Sequence, residues 1–308
     1  MQTNVSFRQR VIKDYKRNKY LLLMLVPILA YYLVFHYAPM YGALIAFKDY
    51  SPRLGVMGSR WVGFKNFENF FNSAQFGRIL PNTIKLSLYQ ILFGFPAPLL
   101  LALVLNEVRR PAFKRTVQTI SYMPHFISVM VLCGMLVDFC STNGILTNLV
   151  STLSGTQSKN LLLRPELFRT IYVASGIWQE VGFGSIVYLS ALSGIDEQLY
   201  EAATIDGASR GRQLWHVTLP GVLPTVTVMF LLRIGRMMNV GYEKVLLLYN
   251  ASTYETAEII STYVYKRGML DMDYSLGAAV DLFNSAINLV LLFSFNWLSK
   301  KLTENGLF

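Results

Sequence analysis

The sequence predicts an all-α integral membrane protein with six transmembrane helices and both termini in the cytoplasm. Three observations predict it. Charge is scarce: 53% of the 308 residues are hydrophobic and 15% are charged, against about 25% charged in a typical soluble domain, and the mean hydropathy is +0.38. Apolar stretches recur along the whole chain at the length a helix needs to cross a bilayer, about 20 residues for about 30 Å of hydrocarbon. Lysine and arginine concentrate in alternate short connections, as insertion topology requires. The formal charge of +10 therefore reads as topology and attraction to anionic headgroups. No nucleic-acid-binding signature accompanies it.

The elements follow in order. Residues 1–19 form a basic tail carrying Arg8, Arg10, Lys13, Lys16, Arg17 and Lys19. The first span is expected over 20–40. A basic tail before an apolar run also suits a signal peptide, but the run continues into His36, Tyr37, Pro39 and Tyr41 without a small-residue cleavage site. Residues 47–80 read as a mixed loop whose rings Trp61, Phe64, Phe67, Phe70 and Phe71 suit a membrane interface. The second span, 81–106, holds Pro96 and Pro98, which predict a kink. Lys85 lies at its end and is expected to snorkel. After Arg109, Arg110, Lys114 and Arg115 comes a third span, 116–138, broken near Pro124. Residues 139–168 read as a polar loop, 169–193 as the fourth span and 221–239 as the fifth. Residues 240–274 read as a second polar loop, and the sixth span, 276–298, is stopped by Lys300 and Lys301. The organisation is one six-helix domain, 20–298, between the tails 1–19 and 299–308.

Orientation follows from the basic residues. Segments 1–19, 107–115, 194–220 and 299–308 hold 14 lysines and arginines, and the alternate, longer connections hold 11. The excess sits in the first tail and first short loop, which usually dominate orientation. This places the 194–220 segment in the cytoplasm.

Little points to chemistry. Cys133 and Cys140 are separated by about 10 Å along a helix, beyond the roughly 7 Å Cα limit for a disulfide. They read as small buried apolar side chains. His36, His125 and His216 fall in three segments, so no metal or catalytic cluster is expected, and no nucleophile–base pair is apparent. The chain lacks the Gly-x4-Gly-Lys-Ser/Thr loop that cradles ATP phosphates. No cofactor is expected on this chain.

The most specific stretch is Leu199–Pro220. Leu199 to Ile205 suits a short helix, with Asp196 as N-cap and Glu197 in the first turn. Gly207 suits a left-handed C-cap. A second amphipathic segment, Leu214 to Leu219, leads to Pro220. Two short helices joined at a glycine make a knob able to seat in a groove of a partner, although the same pattern suits a helix lying on the membrane.

The spacing Glu201-Ala202-Ala203, three residues, Gly207, nine residues, Val217, one residue, Leu219-Pro220 resembles the EAA loop of bacterial ABC importer permeases. Asp206 and Trp215 fit the same pattern, with Val217 where isoleucine is usual and Trp215 where phenylalanine is commoner. Trp61-Val-Gly-Phe-Lys-Asn-Phe67, Tyr122-Met-Pro-His-Phe-Ile-Ser128 and Ile177-Trp-Gln-Glu-Val-Gly-Phe183 look like further segments of the maltose-type permeases. The likeness is to their branch for complex oligosaccharides and polysaccharide fragments. It implies a type I ABC importer fold in the bacterial plasma membrane, a second and usually different permease chain, two ATP-binding subunits that hold ATP and magnesium, and an extracytoplasmic solute-binding protein. Under it, Glu201, Ala202, Ala203, Asp206, Gly207, Trp215, Leu219 and Pro220 couple to the ATPase. Glu201 contacts it, Gly207 permits the bend, and Pro220 sets the exit angle into span five.

Ionisable residues inside spans point to function or internal pairing. Glu180, Arg233, Arg236 and Asp281 qualify. At about 1.5 Å per residue, Glu180 and Arg233 both lie about 20 Å from the cytoplasmic ends of their spans. By the resemblance, Trp178, Gln179, Glu180, Phe183, Arg233, Arg236 and Met237 fall where maltose-type permeases line their sugar path, and Asp281 and Asn284 are expected to join them. Sugars favour aromatic faces and charge-assisted hydrogen bonds. Two arginines would suit an acidic sugar. The competing expectation is that Glu180 pairs with Arg233, and Arg236 with Asp281, to hold the bundle together. The rival to the whole reading is an ion-coupled secondary transporter, with which Glu180 and Asp281 are compatible; no inverted repeat supports it.

Overall fold

Long helices follow the apolar runs in this computed structural model, which describes residues 7–155, 159–303 and 306. Residues 1–6 of the basic tail, and 304, 305, 307 and 308 of the C-terminal tail, lie outside the described residues. In chain order the main helices are α1 (Arg17–Phe47), α2 (Phe76–Asn106), α3 (Pro111–Phe126), α4 (Val129–Cys140), α5 (Ile145–Ser154) and α6 (Pro165–Ser193). There follow α7 (Glu197–Ile205), α8 (Arg210–Ile234), α9 (Tyr242–Leu248) and α10 (Tyr274–Thr303). Among the described residues α1, α2, α8 and α10 are long and apolar enough to cross a membrane, and α3 with α4 makes a fifth candidate, bent by 98°. The expected fourth span is α6. Its 29 residues reach about 43 Å, but polar and glycine positions keep it below the apolarity of the others.

Prolines shape three of these helices. Pro39, Pro96 and Pro220 each follow a π-helical turn, Leu33–Tyr37, Gln90–Gly94 and Leu214–Thr218. A proline ring clashes with the carbonyl four residues earlier. Those carbonyls belong to Phe35, Leu92 and His216, the middle residue of each turn. Widening the turn there relieves the clash while the helix continues. The kink expected at Pro96 thus falls at a bulge, and Pro220 lies inside a helix, α8, that runs unbroken from Arg210 into the fifth span. Only Pro124 ends a helix. It lies in the 3-10 turn Met123–Phe126, and Ser128 restarts the chain by capping α4, its Oγ accepting from Val131 N at 3.3 Å.

The connections expected to be polar loops carry much of the core. Leu161, Leu162, Val245, Leu248 and Ile259 pack with Leu132, Leu136, Phe168 and Tyr172 in one buried cluster. Residues 240–274 fold back as α9 and the short helices Tyr254–Ala257 and Ile260–Val264, because their apolar side chains have a bundle to cover. Glu258, nearly fully buried, ties this segment down. It accepts from Arg78 and, at 3.1 Å, from Lys266. Burial disfavours the Lys266 ammonium, but hydrogen bonds to Tyr249 and Glu258 outweigh it and its pKa is raised. Residues 47–80 likewise hold structure: a two-residue antiparallel hairpin pairs Lys48 with Trp61, and the helix Lys65–Phe71 buries Phe70 against Ile79 and Ile260. Phe70 is thus core and not interface, whereas Trp61 and Phe64 are exposed as expected. Cys133 and Cys140 are free and buried. Lys300 and Lys301 do not stop α10, which continues to Thr303; they sit in its last turn, where cations complement the helix dipole.

Candidate functional site

Two candidate sites emerge. The first is the elbow between α6 and α8. Asp196 caps α7 as expected, its carboxylate accepting from Gln198 N at 3.0 Å. Gly207 adopts φ +74°, the left-handed conformation that favours glycine, and Ala208 N donates back to Ala203 O at 2.8 Å. The two arms are clasped by side chains. Gln213 Nε2 donates to Thr204 Oγ1 at 2.9 Å, and the hydroxyls of Tyr200 and Thr218 lie 3.0 Å apart. Glu201, Ala202, Asp206, Gly207 and Pro220 are exposed, and Ala203 and Leu219 are partly covered. Ile205 and Trp215 are 87% and 69% exposed. Exposed apolar side chains on a polar, hydrogen-bonded elbow suit a protein partner.

The second site is a cavity of about 360 Å³ beside α6. Its wall combines the π turn of α2, one face of α6, Arg233 near the end of α8, Asn239 and Gly241 in the turn that follows, and Lys244 in the first turn of α9. Of the expected path residues, Gln179, Glu180 and Arg233 line it. Arg233 Nη2 donates to Gln90 Oε1 at 2.7 Å. Glu180 Oε2 lies 3.0 Å from His125 Nδ1, and the His125 ring stacks on Phe183 with centroids 3.9 Å apart. Buried Gln179 donates to Ile127 O at 2.8 Å. So Gln179, Glu180 and Phe183 hold the break after α3 against α6. Gly182 makes that contact feasible, because a Cβ there would lie 2.0 Å from Ser121 O.

The other expected residues lie elsewhere. Trp178 turns to a separate apolar cavity of about 520 Å³ with Leu132, Met135 and Phe139. Arg236 and Asp281 are exposed and line no part of the α6 cavity. Met237 contributes its carbonyl to Ser87 Oγ. Asn284 is buried one step behind the cavity: it and Asn288 donate to Asn239 Oδ1 at 2.8 and 3.1 Å. The ion pairs among the described residues are Arg78–Glu258, His125–Glu180, Lys266–Glu258 and Arg267–Asp271. The expected Glu180–Arg233 and Arg236–Asp281 pairs are not among them.

Sequence reasoning missed Gln90, Tyr172, Asn239 and Lys244. Gln90 carried a signal, a lone amide within an apolar run. Lys244 carried none, because its segment read as a loop.

A helical membrane permease, with a bent candidate span, a cavity holding two cations and a carboxylate beside α6, and a clasped elbow between α6 and α8, is the class these features define. The chain belongs to the family described as binding-protein-dependent transport system inner membrane component, whose model matches residues 94–304. It is 45% identical to Protein LplB of Bacillus subtilis (strain 168) over 294 residues, covering 95% of this chain and 92% of that one. It is 42% identical over 301 residues to the polygalacturonan/rhamnogalacturonan transport system permease protein YteP of the same organism, covering 98% and 94%. The fold matches a chain of a bacterial ABC transporter involved in import of the acidic polysaccharide alginate, with TM-score 0.86, 42% identity and coverage of 96% and 99%. The alginate ABC transporter in complex with its alginate pentasaccharide-bound periplasmic protein matches with TM-score 0.88 and 42% identity, covering 97% and 100%.

Proposed function

We propose that this chain is one permease subunit of an ATP-driven importer of oligosaccharides or polysaccharide fragments in the bacterial plasma membrane. It forms half of the translocation path and has no catalysis of its own. The carrying observation is the elbow: a two-helix knob clasped by side-chain hydrogen bonds, continuous with α8, presenting Ile205 and Trp215 outward. An ATPase subunit seats on this knob, with Glu201 and Asp206 at its rim. Movement of the ATPase is transmitted to α8 because the Leu214–Thr218 turn joins knob and span without a break. The elbow and both termini face the cytoplasm, in accord with the basic residues, and α6 completes a set of six spans. ATP and magnesium bind to the ATPase pair.

The second permease is supported by α1, whose most apolar window buries nothing within its own chain. That surface meets lipid and the partner permease. The similarity to importers that work with periplasmic binding proteins supports an extracytoplasmic protein that delivers the glycan. The test is ATPase activity of the purified complex in lipid nanodiscs. Glycan-loaded binding protein is expected to stimulate it. Equal activity with and without loaded binding protein would contradict the proposal.

A further inference from the structure

We infer that the α6 cavity contains a carboxylate-binding subsite formed by Lys244 and Arg233, which makes the importer selective for acidic, uronate-bearing oligosaccharides. This rests on the reading of the chain as an oligosaccharide permease.

The observation behind it is an imbalance of charge. The cavity is lined by two cations and a single carboxylate, Glu180. Glu180 already bonds to His125. Lys244 is only 8% exposed, yet no carboxylate lies within ion-pair distance of it among the described residues. Its Nζ donates to Tyr172 O at 3.0 Å and lies 4.8 Å from the centre of the Tyr172 ring. A backbone carbonyl and one aromatic face offset only part of the cost of taking an ammonium out of water. Arg233, more open than Lys244, also has no carboxylate within ion-pair distance among the described residues; its hydrogen bond goes to the neutral amide of Gln90. Buried cations normally have a partner, and those without one inside a membrane bundle mark a pathway or ligand site.

A carboxylate entering the cavity supplies that partner. Arg233 offers a planar fork for two parallel hydrogen bonds, and Lys244 a compact point charge. Neutral sugars present hydroxyls, which cannot neutralise either group. The second cation of the site is thus Lys244 from the folded-back segment, and not Arg236.

The experiment uses proteoliposomes holding the complete importer and its binding protein. Uptake of a galacturonate pentasaccharide is compared with uptake of the same glycan after its carboxyls are reduced to alcohols. Comparing variant with wild type for each glycan cancels the selectivity of the binding protein. Lys244→Gln is expected to lower the acidic-to-neutral uptake ratio about tenfold, as loss of one charge-assisted hydrogen bond implies, and Lys244→Arg to keep it within about threefold. Arg233→Gln, at an open position, is expected to lower the ratio in the same direction and serves should Lys244→Gln fail to assemble. An unchanged ratio in an assembled Gln variant, or equal loss of both glycans, would overturn the subsite. No ATP-dependent uptake of either glycan by the wild type would overturn the oligosaccharide reading itself, and the subsite with it.

Discussion

The elbow and the cavity differ in how they are built. The elbow is contiguous: every residue that shapes it lies between Asp196 and Pro220, and its hydrogen bonds span at most 18 residues. The cavity is assembled from three distant stretches, 90–98, 172–188 and 229–244, and the bond between Arg233 and Gln90 bridges 143 residues. The elbow is exposed and apolar at its tips; the cavity is recessed and positively charged. Under the proposed function, one surface is gripped by a protein and the other receives a polar solute. Variants should therefore separate into two classes, those that uncouple and those that change what is carried.

The largest effect is expected where neither class applies. Gly182→Ala forces a Cβ into Ser121 O and pries α3 from α6. Overpacking of this kind costs about 1–3 kcal/mol or more, and the yield of monodisperse protein in detergent chromatography should collapse. Gly134→Ala, where a Cβ meets nothing within 4 Å, is the control and should leave the yield intact. An equal yield from both would show that the break after α3 is not locked onto α6.

Gly207→Val comes next. A β-branched residue at φ +74° is strained by about 1–3 kcal/mol. Glycan-stimulated ATP hydrolysis should fall at least about tenfold, while glycan binding to the solubilised importer stays unchanged. Loss of both together would break the distinction between the two regions. Trp215→Ala should weaken ATPase attachment by about 2 kcal/mol, the scale of an interface hot spot, with no change in the melting temperature of the isolated permease pair. A drop in that melting temperature would instead make Trp215 a packing residue. The smallest effect is expected at Asp196→Ala. Loss of the cap on Gln198 N costs about 1 kcal/mol, read as faster amide exchange confined to α7. Exchange spreading into α6 would show that elbow and span melt as one unit.

This contrast also explains what was legible in the sequence. Asp196, Gly207 and the Ala203–Ala208 turn obey local rules of capping, so the elbow could be read residue by residue. Long apolar runs gave the spans for the same reason. Three features were not local. The core role of 240–274 depends on apolar residues scattered among polar ones, and only the assembled bundle shows that Val245, Leu248 and Ile259 have partners. The π turns before Pro39, Pro96 and Pro220 arise because the flanking helix is long enough to absorb a wide turn. Glu180 lines the α6 cavity, but its partner, His125, sits 55 residues away beside a break whose direction no periodicity encodes. Arg236 was expected on the path with Arg233, but α8 ends at Ile234, and of the two only Arg233 lines the cavity.

The account rests on an elbow that transmits ATP-driven motion to a glycan path. The most direct measurement is glycan accumulation in proteoliposomes holding the complete importer, with ATP and magnesium on the elbow side and no ion gradient. The account predicts accumulation that requires ATP and is lost in Gly207→Val. Accumulation driven by a proton or sodium gradient without ATP would contradict it.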